Sequence, residues 1–260
     1  MANETTLNKL FEMKLSSFAR AYRNQEEDAS YSSMGFDERL TLLVDAEWDS
    51  RRINRRTRLL RSANFSVREA NITDIRYDAD RRLSKDKIED LARCSWIRDG
   101  LNVIITGSTG AGKSWVACAL GVCACNNFYS VRYIRLPQFL DELALAREGN
   151  EYRKWQKRYT SCDLLIIDEW LLMGLNEKEA REVLEIIESR YGSRSTMLCS
   201  QYAPGGWHAK LGEGAIADAV IDRKCEASHL RSNAKQKDMR SWHENCFIDF
   251  EFSSSKLRIM

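Results

Sequence analysis

Apolar residues gather in four short runs, at 101–106, 131–134, 164–168 and 196–200. Longer amphipathic stretches at 113–127, 137–158 and 176–191 separate them. Runs this short suit strands, and the stretches between are long enough for crossover helices. The alternation predicts strand–helix–strand units and a parallel sheet, an α/β fold with helices packed on it. Pro137 and Pro204 are assigned to loops, where a missing backbone donor costs little.

Residues 1–75 lack this alternation and read as helical, which predicts a small all-helical N-terminal domain ahead of a core at 76–223. Within FDERLTLLVDAEWDSRRINRRTRLLRSA, Leu40, Leu43, Val44, Glu47 and Trp48 recur at near-helical spacing, with Asp37 placed as the cap. The second half of this stretch is basic. Arg51, Arg52, Arg55, Arg56, Arg58 and Arg61 crowd together with no acid among them. On a helix, Arg51, Arg55 and Arg58 line one stripe and Arg52 and Arg56 the next. Leu59 and Leu60 interrupt the run and offer a narrow apolar contact.

Two readings of the arginines stay open. One is a solvated helix face paired with Asp45, Glu47 and Asp49. The other is a face for the phosphates of duplex DNA. Arginine favours the second, because its planar guanidinium matches phosphate bidentately. Such contacts hold a protein on DNA without reading its sequence.

Composition narrows the class only a little. The chain has 260 residues, 43% apolar and 30% charged, with a net charge of +2, so it reads as globular. Its apolar runs are too short to span a bilayer, and MANETTLNKLFEMK shows no secretory pattern. The eight cysteines include no C-x-x-C pair and several sit in apolar segments. Buried, reduced thiols in a cytoplasmic protein are the expectation.

Candidate chemistry begins at Gly107-Ser108-Thr109-Gly110-Ala111-Gly112-Lys113-Ser114, a full G-x-x-x-x-G-K-[ST] match after an apolar run. Glycines let backbone N–H groups wrap phosphate oxygens, and a helix N-terminus adds partial positive charge. Lys113 is expected on the β- and γ-phosphates of ATP, and Ser114 on Mg2+. In CDLLIIDEW the apolar run ends at Asp168, a second Mg2+ partner, and Glu169 follows. A carboxylate there polarises water for attack on the γ-phosphate, which an ATPase needs and a small-molecule kinase does not. The alternative for Glu169 is a plain helix-start acid. Ser200 and Gln201 end the last run, where strand ends of an open parallel sheet meet ligand. Arg223 closes AIADAVIDR, a predicted helix. It reads equally as a residue reaching a neighbouring subunit's γ-phosphate or as a surface ion pair.

Together with SQYAPGGWHAKLGEGAIADAVIDR, these stretches resemble the IstB family, ATP-binding helpers of transposition encoded by bacterial insertion sequences. The resemblance runs from about residue 7 to residue 223. It implies an AAA+ phosphate-loop fold preceded by a small helical domain. It also implies ATP-dependent homo-oligomers on DNA, target selection and stimulation of the element's transposase. By motif it places Asp168 and Glu169 in the Walker B pair, Ser200 and Gln201 at sensor 1, and Arg223 at the arginine finger. DnaC-type helicase loaders share the core but usually lack the arginine-rich helix. A loader is therefore the second functional reading, and a small-molecule kinase the third.

The tail departs from the family. Residues 224–241 hold no apolar run able to form the interior strand that flanks the phosphate-loop strand. A strand left bare there is an aggregation liability. In CFIDFEF, Ile248, Phe250 and Phe252 alternate with Asp249 and Glu251, so this segment is one substitute, with Arg240 as its sensor arginine. The other expectation is a frameshifted, poorly ordered tail at 224–260 with weak ATP turnover.

Overall fold

The computed structural model describes residues 4–77, 83–211 and 247–250. The chain divides into two compact units, Met1–Arg58 and Leu59–Met260. The division falls before the 75/76 boundary read from sequence. Ala63, Phe65, Ala70 and Ile75 explain the shift, since all are buried in the core of the second unit.

The first unit contains α1 (Glu4–Glu12), α2 (Ser16–Glu27), a 3-10 turn and most of α3 (Phe36–Ala63). Its buried residues include Leu7, Ala19 and Leu43. Glu47 accepts from the backbone N–H groups of Ser17 and Phe18, at 2.9 and 3.2 Å. It thereby caps α2, whose N-cap Leu15 brings no side-chain acceptor. Gln25 and Arg39 exchange hydrogen bonds between α2 and α3. Two sequence expectations are corrected here. Helix α3 already includes Phe36, so Asp37 lies in its first turn and favours the helix dipole instead of capping. Of the expected apolar face, Leu43 and Glu47 turn inward, while Leu40, Val44 and Trp48 remain exposed.

The second unit is a five-stranded parallel sheet: β1 (Val103–Gly107), β2 (Val131–Arg135), β3 (Leu164–Trp170), β4 (Ser195–Ser200) and β5 (Phe247–Phe250). Their order is β2-β3-β4-β1-β5. α6 (Lys113–Asn126) covers one face, joined by α4 (Lys85–Ala92), α5 (Ser95–Arg98) and the stretch leaving α3. α7 (Leu136–Glu148), α8 (Tyr152–Thr160), α9 (Glu177–Arg190) and α10 (His208–Leu211) belong to the opposite side, where Phe139, Trp155, Ile186 and Leu211 are buried. Strands β1, β3 and β4 are apolar almost throughout because both faces are covered, as parallel sheets require.

Local chemistry sets the helix limits. A capping box of Asn176 and Glu179 starts α9. The single helix expected at 137–158 is two helices: the chain turns at Gly149 and Asn150, the latter at φ +54°. Pro137 is inside the first turn of α7, not a loop, where its absent N–H has no helical acceptor to lose. The polar connection at 71–90 contributes Ile75, Leu83 and Ile88 to the core.

β5 pairs with β1, Ile104 to Phe247 through Gly107 to Phe250. The phosphate-loop strand is thus flanked on both sides, by β4 and β5. Of the expected 246–252 strand, 247–250 is observed. The remainder of the tail, Arg223, Arg240 and the helix expected at 215–223 lie outside the described residues.

Candidate nucleotide site

All five strands run parallel, so β1, β3 and β4 deliver their C-terminal ends to one edge of the sheet. At the end of β1 the chain loops through 108–112 into α6. Gly110 and Gly112 take φ of +80° and +90°, and a Cβ on either would meet nothing within 4 Å. Backbone angle, not crowding, demands glycine there. A helix leaves its first-turn N–H groups without helical acceptors, and the Gly112 N-cap offers no side chain to take them. Such donors at a helix start fit the oxygens of a polyphosphate.

Lys113 begins α6, and its Nζ donates to the carbonyls of Gly107 and Ser108, both at 2.8 Å. The ammonium therefore sits within the curve of the loop. Burial lowers its pKa, and the nearby charge of Asp168 opposes that shift. Ser114 follows, half-buried, in the first turn.

Asp168 is 3% exposed. Its Oδ1 accepts the Glu169 N–H at 2.8 Å, and its Oδ2 accepts the Tyr133 hydroxyl at 2.6 Å. Burial, and then this carboxylate, push the Tyr133 hydroxyl far above its ordinary pKa, so it remains a donor. One carboxylate plus a hydroxyl, with phosphates and water completing the shell, is a set that suits Mg2+.

Glu169 sits in a β-bulge where the pairing with β4 shifts between Ile167 and Trp170. Its φ is +54°, and Leu171 shares that value. Non-glycine residues held in the left-handed region cost about 1–3 kcal/mol each and gather at working sites. The bulge separates two neighbouring acids: Asp168 turns into the core, while Glu169 stays partly exposed, 3.7 Å from the Arg135 guanidinium.

The structure divides the pair at the end of β4. Ser200 is fully buried, donating to the Trp170 carbonyl at 3.0 Å and accepting the Tyr202 N–H at 3.1 Å. Gln201 is exposed beside it. In the first unit Arg51, Arg52, Arg55, Arg56 and Arg58 are all exposed along α3. Arg51 is engaged: it donates to Glu47 at 2.7 Å and to the Lys14 carbonyl at 3.2 Å. For Arg51 the ion-pair reading therefore holds. Arg52 lies 6.0 Å from the Trp48 ring.

Sequence reasoning missed Tyr133 and Arg135. Both read as ordinary members of a strand run. The available signal is register: Arg135 pairs with Asp168 and Tyr133 with Ile166, so both share a face with the carboxylate.

A phosphate loop on one inner strand and a buried aspartate with an adjoining glutamate on another define a phosphate-loop nucleotide-binding fold. A solved structure of the replication initiator DnaA bound to AMPPCP and single-stranded DNA matches it with a TM-score of 0.57. That match has 16% identity and covers 73% of this chain and 52% of the DnaA chain. The family described as IstB-like ATP binding protein matches residues 8–245, and this chain belongs to it. An insertion sequence ATP-binding protein of Sinorhizobium fredii, y4pL, is 36% identical, covering 91% of this chain and all of its own. The IS1162 ATP-binding protein of Pseudomonas fluorescens is 38% identical over 77% of this chain and 87% of its own.

Proposed function

We propose that this chain is a DNA-binding ATPase that assists the transposase of its insertion sequence, assembling with ATP into homo-oligomers on duplex DNA. The observation that carries the reading is the pairing of a polyphosphate cradle with a buried aspartate and a partly exposed glutamate at one edge of the sheet. Membership in the insertion-sequence ATP-binding family supports the setting.

Lys113 and the loop N–H groups hold the β- and γ-phosphates. Ser114 and Asp168 hold Mg2+, which supplies positive charge against the phosphates when bound. Glu169 accepts a proton from the attacking water. Gln201 faces the γ-phosphate, and Ser200 fixes the strand end that presents it. Arg223 reaches the γ-phosphate of a neighbouring subunit. Arg52, Arg55, Arg56 and Arg58 contact DNA phosphates, with Arg51 held back by Glu47. Among the described residues no helix is long and apolar enough to cross a membrane. The six described cysteines are free, as suits the reducing cytoplasm in which we place its work.

The test is the ATPase rate of the full chain with and without duplex DNA, using Lys113→Ala as the blank. Hydrolysis above the blank that rises with duplex DNA is expected. A rate equal to the blank under both conditions sinks the ATPase reading.

A further inference from the structure

Asp168 is held from a side that no motif marks. Tyr133 is 4% exposed on β2, two residues before the register partner of Asp168. With its hydroxyl on Oδ2 and the Glu169 N–H on Oδ1, both carboxylate oxygens are engaged. A carboxylate only accepts, so the direction is fixed: Tyr133 donates, in a charge-assisted bond. Ser66 lies beside the Tyr133 hydroxyl. Its Oγ lies 3.5 Å from Cys118 Sγ on α6.

Ser66 stands three residues beyond the end of α3. The chain there is fixed at two more points. Arg132, beside Tyr133, donates from Nη1 to the Ser62 carbonyl at 3.1 Å. Phe65 packs on α6 so closely that a Cβ at Gly121 would lie 2.5 Å from its ring. The segment leaving the arginine helix is therefore tied both to the strand that carries Tyr133 and to the helix that begins with Lys113.

We propose that Tyr133 is a positioning residue that sets the carboxylate plane of Asp168 for the Mg2+ of the bound nucleotide, and that Ser66 ties this setting to the segment leaving α3. A hydrogen bond to Oδ2 fixes the direction of the remaining lone pairs, as partners behind a metal ligand do. A displacement at the end of α3 then changes metal affinity without any contact to the nucleotide. The inference rests on the reading that Asp168 serves the metal.

The experiment is binding of fluorescent mant-ADP to the full chain, in Mg2+ and in EDTA. Tyr133→Phe is expected to cut the Mg2+-dependent gain in affinity about tenfold. Metal-free affinity is expected to stay unchanged, which a merely structural loss would not allow. Ser66→Ala, which keeps Tyr133, is expected to reduce the gain by a smaller factor. An undiminished gain in Tyr133→Phe overturns the proposal, as does an equal loss of metal-free affinity. Should Tyr133→Phe not fold, Ser66→Ala decides by the same two criteria. Asp168→Asn separates the two levels. If it keeps the full gain, Asp168 does not serve the metal and both readings fall. If it loses the gain while Tyr133→Phe keeps it, only the positioning role falls.

Discussion

Asp168 and Glu169 are neighbours in the chain with different surroundings, and the bulge is the cause. Asp168 has both oxygens bound inside the protein, whereas Glu169 is partly exposed with the Arg135 guanidinium 3.7 Å away. Replacing Glu169 with Gln keeps the shape and removes the carboxylate proposed as the base. Hydrolysis is expected to fall by about 10²–10⁴-fold with mant-nucleotide affinity retained. The buried thiols give a second residue-level prediction. Burial pushes Cys94 up to about 11 and Cys125 up to about 12. An unfolded thiol ionises near about 8.5, so above that pH the unfolded chain loses protons that the folded chain keeps. The stabilisation is full below that range and is lost as pH rises through it. Melting temperature should drop between pH 8 and pH 10, and Cys125→Ala should flatten that dependence.

Two helices show how an element carries more than its own pattern. α3 begins with Asp37 and Glu38 and ends in arginines, so its charges complement the helix dipole at both ends. Its basic half, exposed along the helix, is the surface proposed for DNA. Arg55→Glu combined with Arg56→Glu should abolish duplex binding in a fluorescence anisotropy titration. The wild-type affinity should fall steeply with salt as counterions are released. Unchanged affinity in the double variant would remove the physical support for DNA as the partner and favour the helicase-loader alternative. α6 is limited by packing instead. Its Gly121 faces the Phe65 ring at 2.5 and 2.9 Å and Ile166 Cδ1 at 3.0 Å, measured from an added Cβ. Alanine gains about 1 kcal/mol of helix propensity over glycine, but overpacking a closed core costs about 1–3 kcal/mol. The ring is buried and has little room to retreat, so Gly121→Ala should lower stability in urea unfolding by about 1 kcal/mol.

At the scale of the whole molecule, the tail decides whether β1 is an interior strand. Pairing of β5 with β1 gives the phosphate-loop strand a neighbour on each side. Truncation before Phe247 would leave the β1 edge open, and light scattering should then report association of the shortened chain. Much of the second unit was legible in the sequence. Four apolar runs marked four strands to within two residues at most ends, because strands buried on both faces are apolar throughout. The break at Gly149 and Asn150 was not legible, since the amphipathic pattern passes through it and only the left-handed turn interrupts the helix.

The sequence by itself determined the α/β class, the phosphate loop and the two acids, because each depends on residue types at fixed local spacing. The tertiary structure alone decided which groups those acids meet. Tyr133 and Arg135 reach Asp168 and Glu169 through strand register, across more than thirty positions of chain. Ser200, a candidate sensor, is buried with its one donor committed to the Trp170 carbonyl and the Tyr202 N–H bonded to its oxygen. The stretch after α3 moved into the core of the second unit because Phe65 seats against a glycine of α6. Apart from the Tyr202 bond, each of these is a contact between segments distant in sequence, where local spacing carries no information.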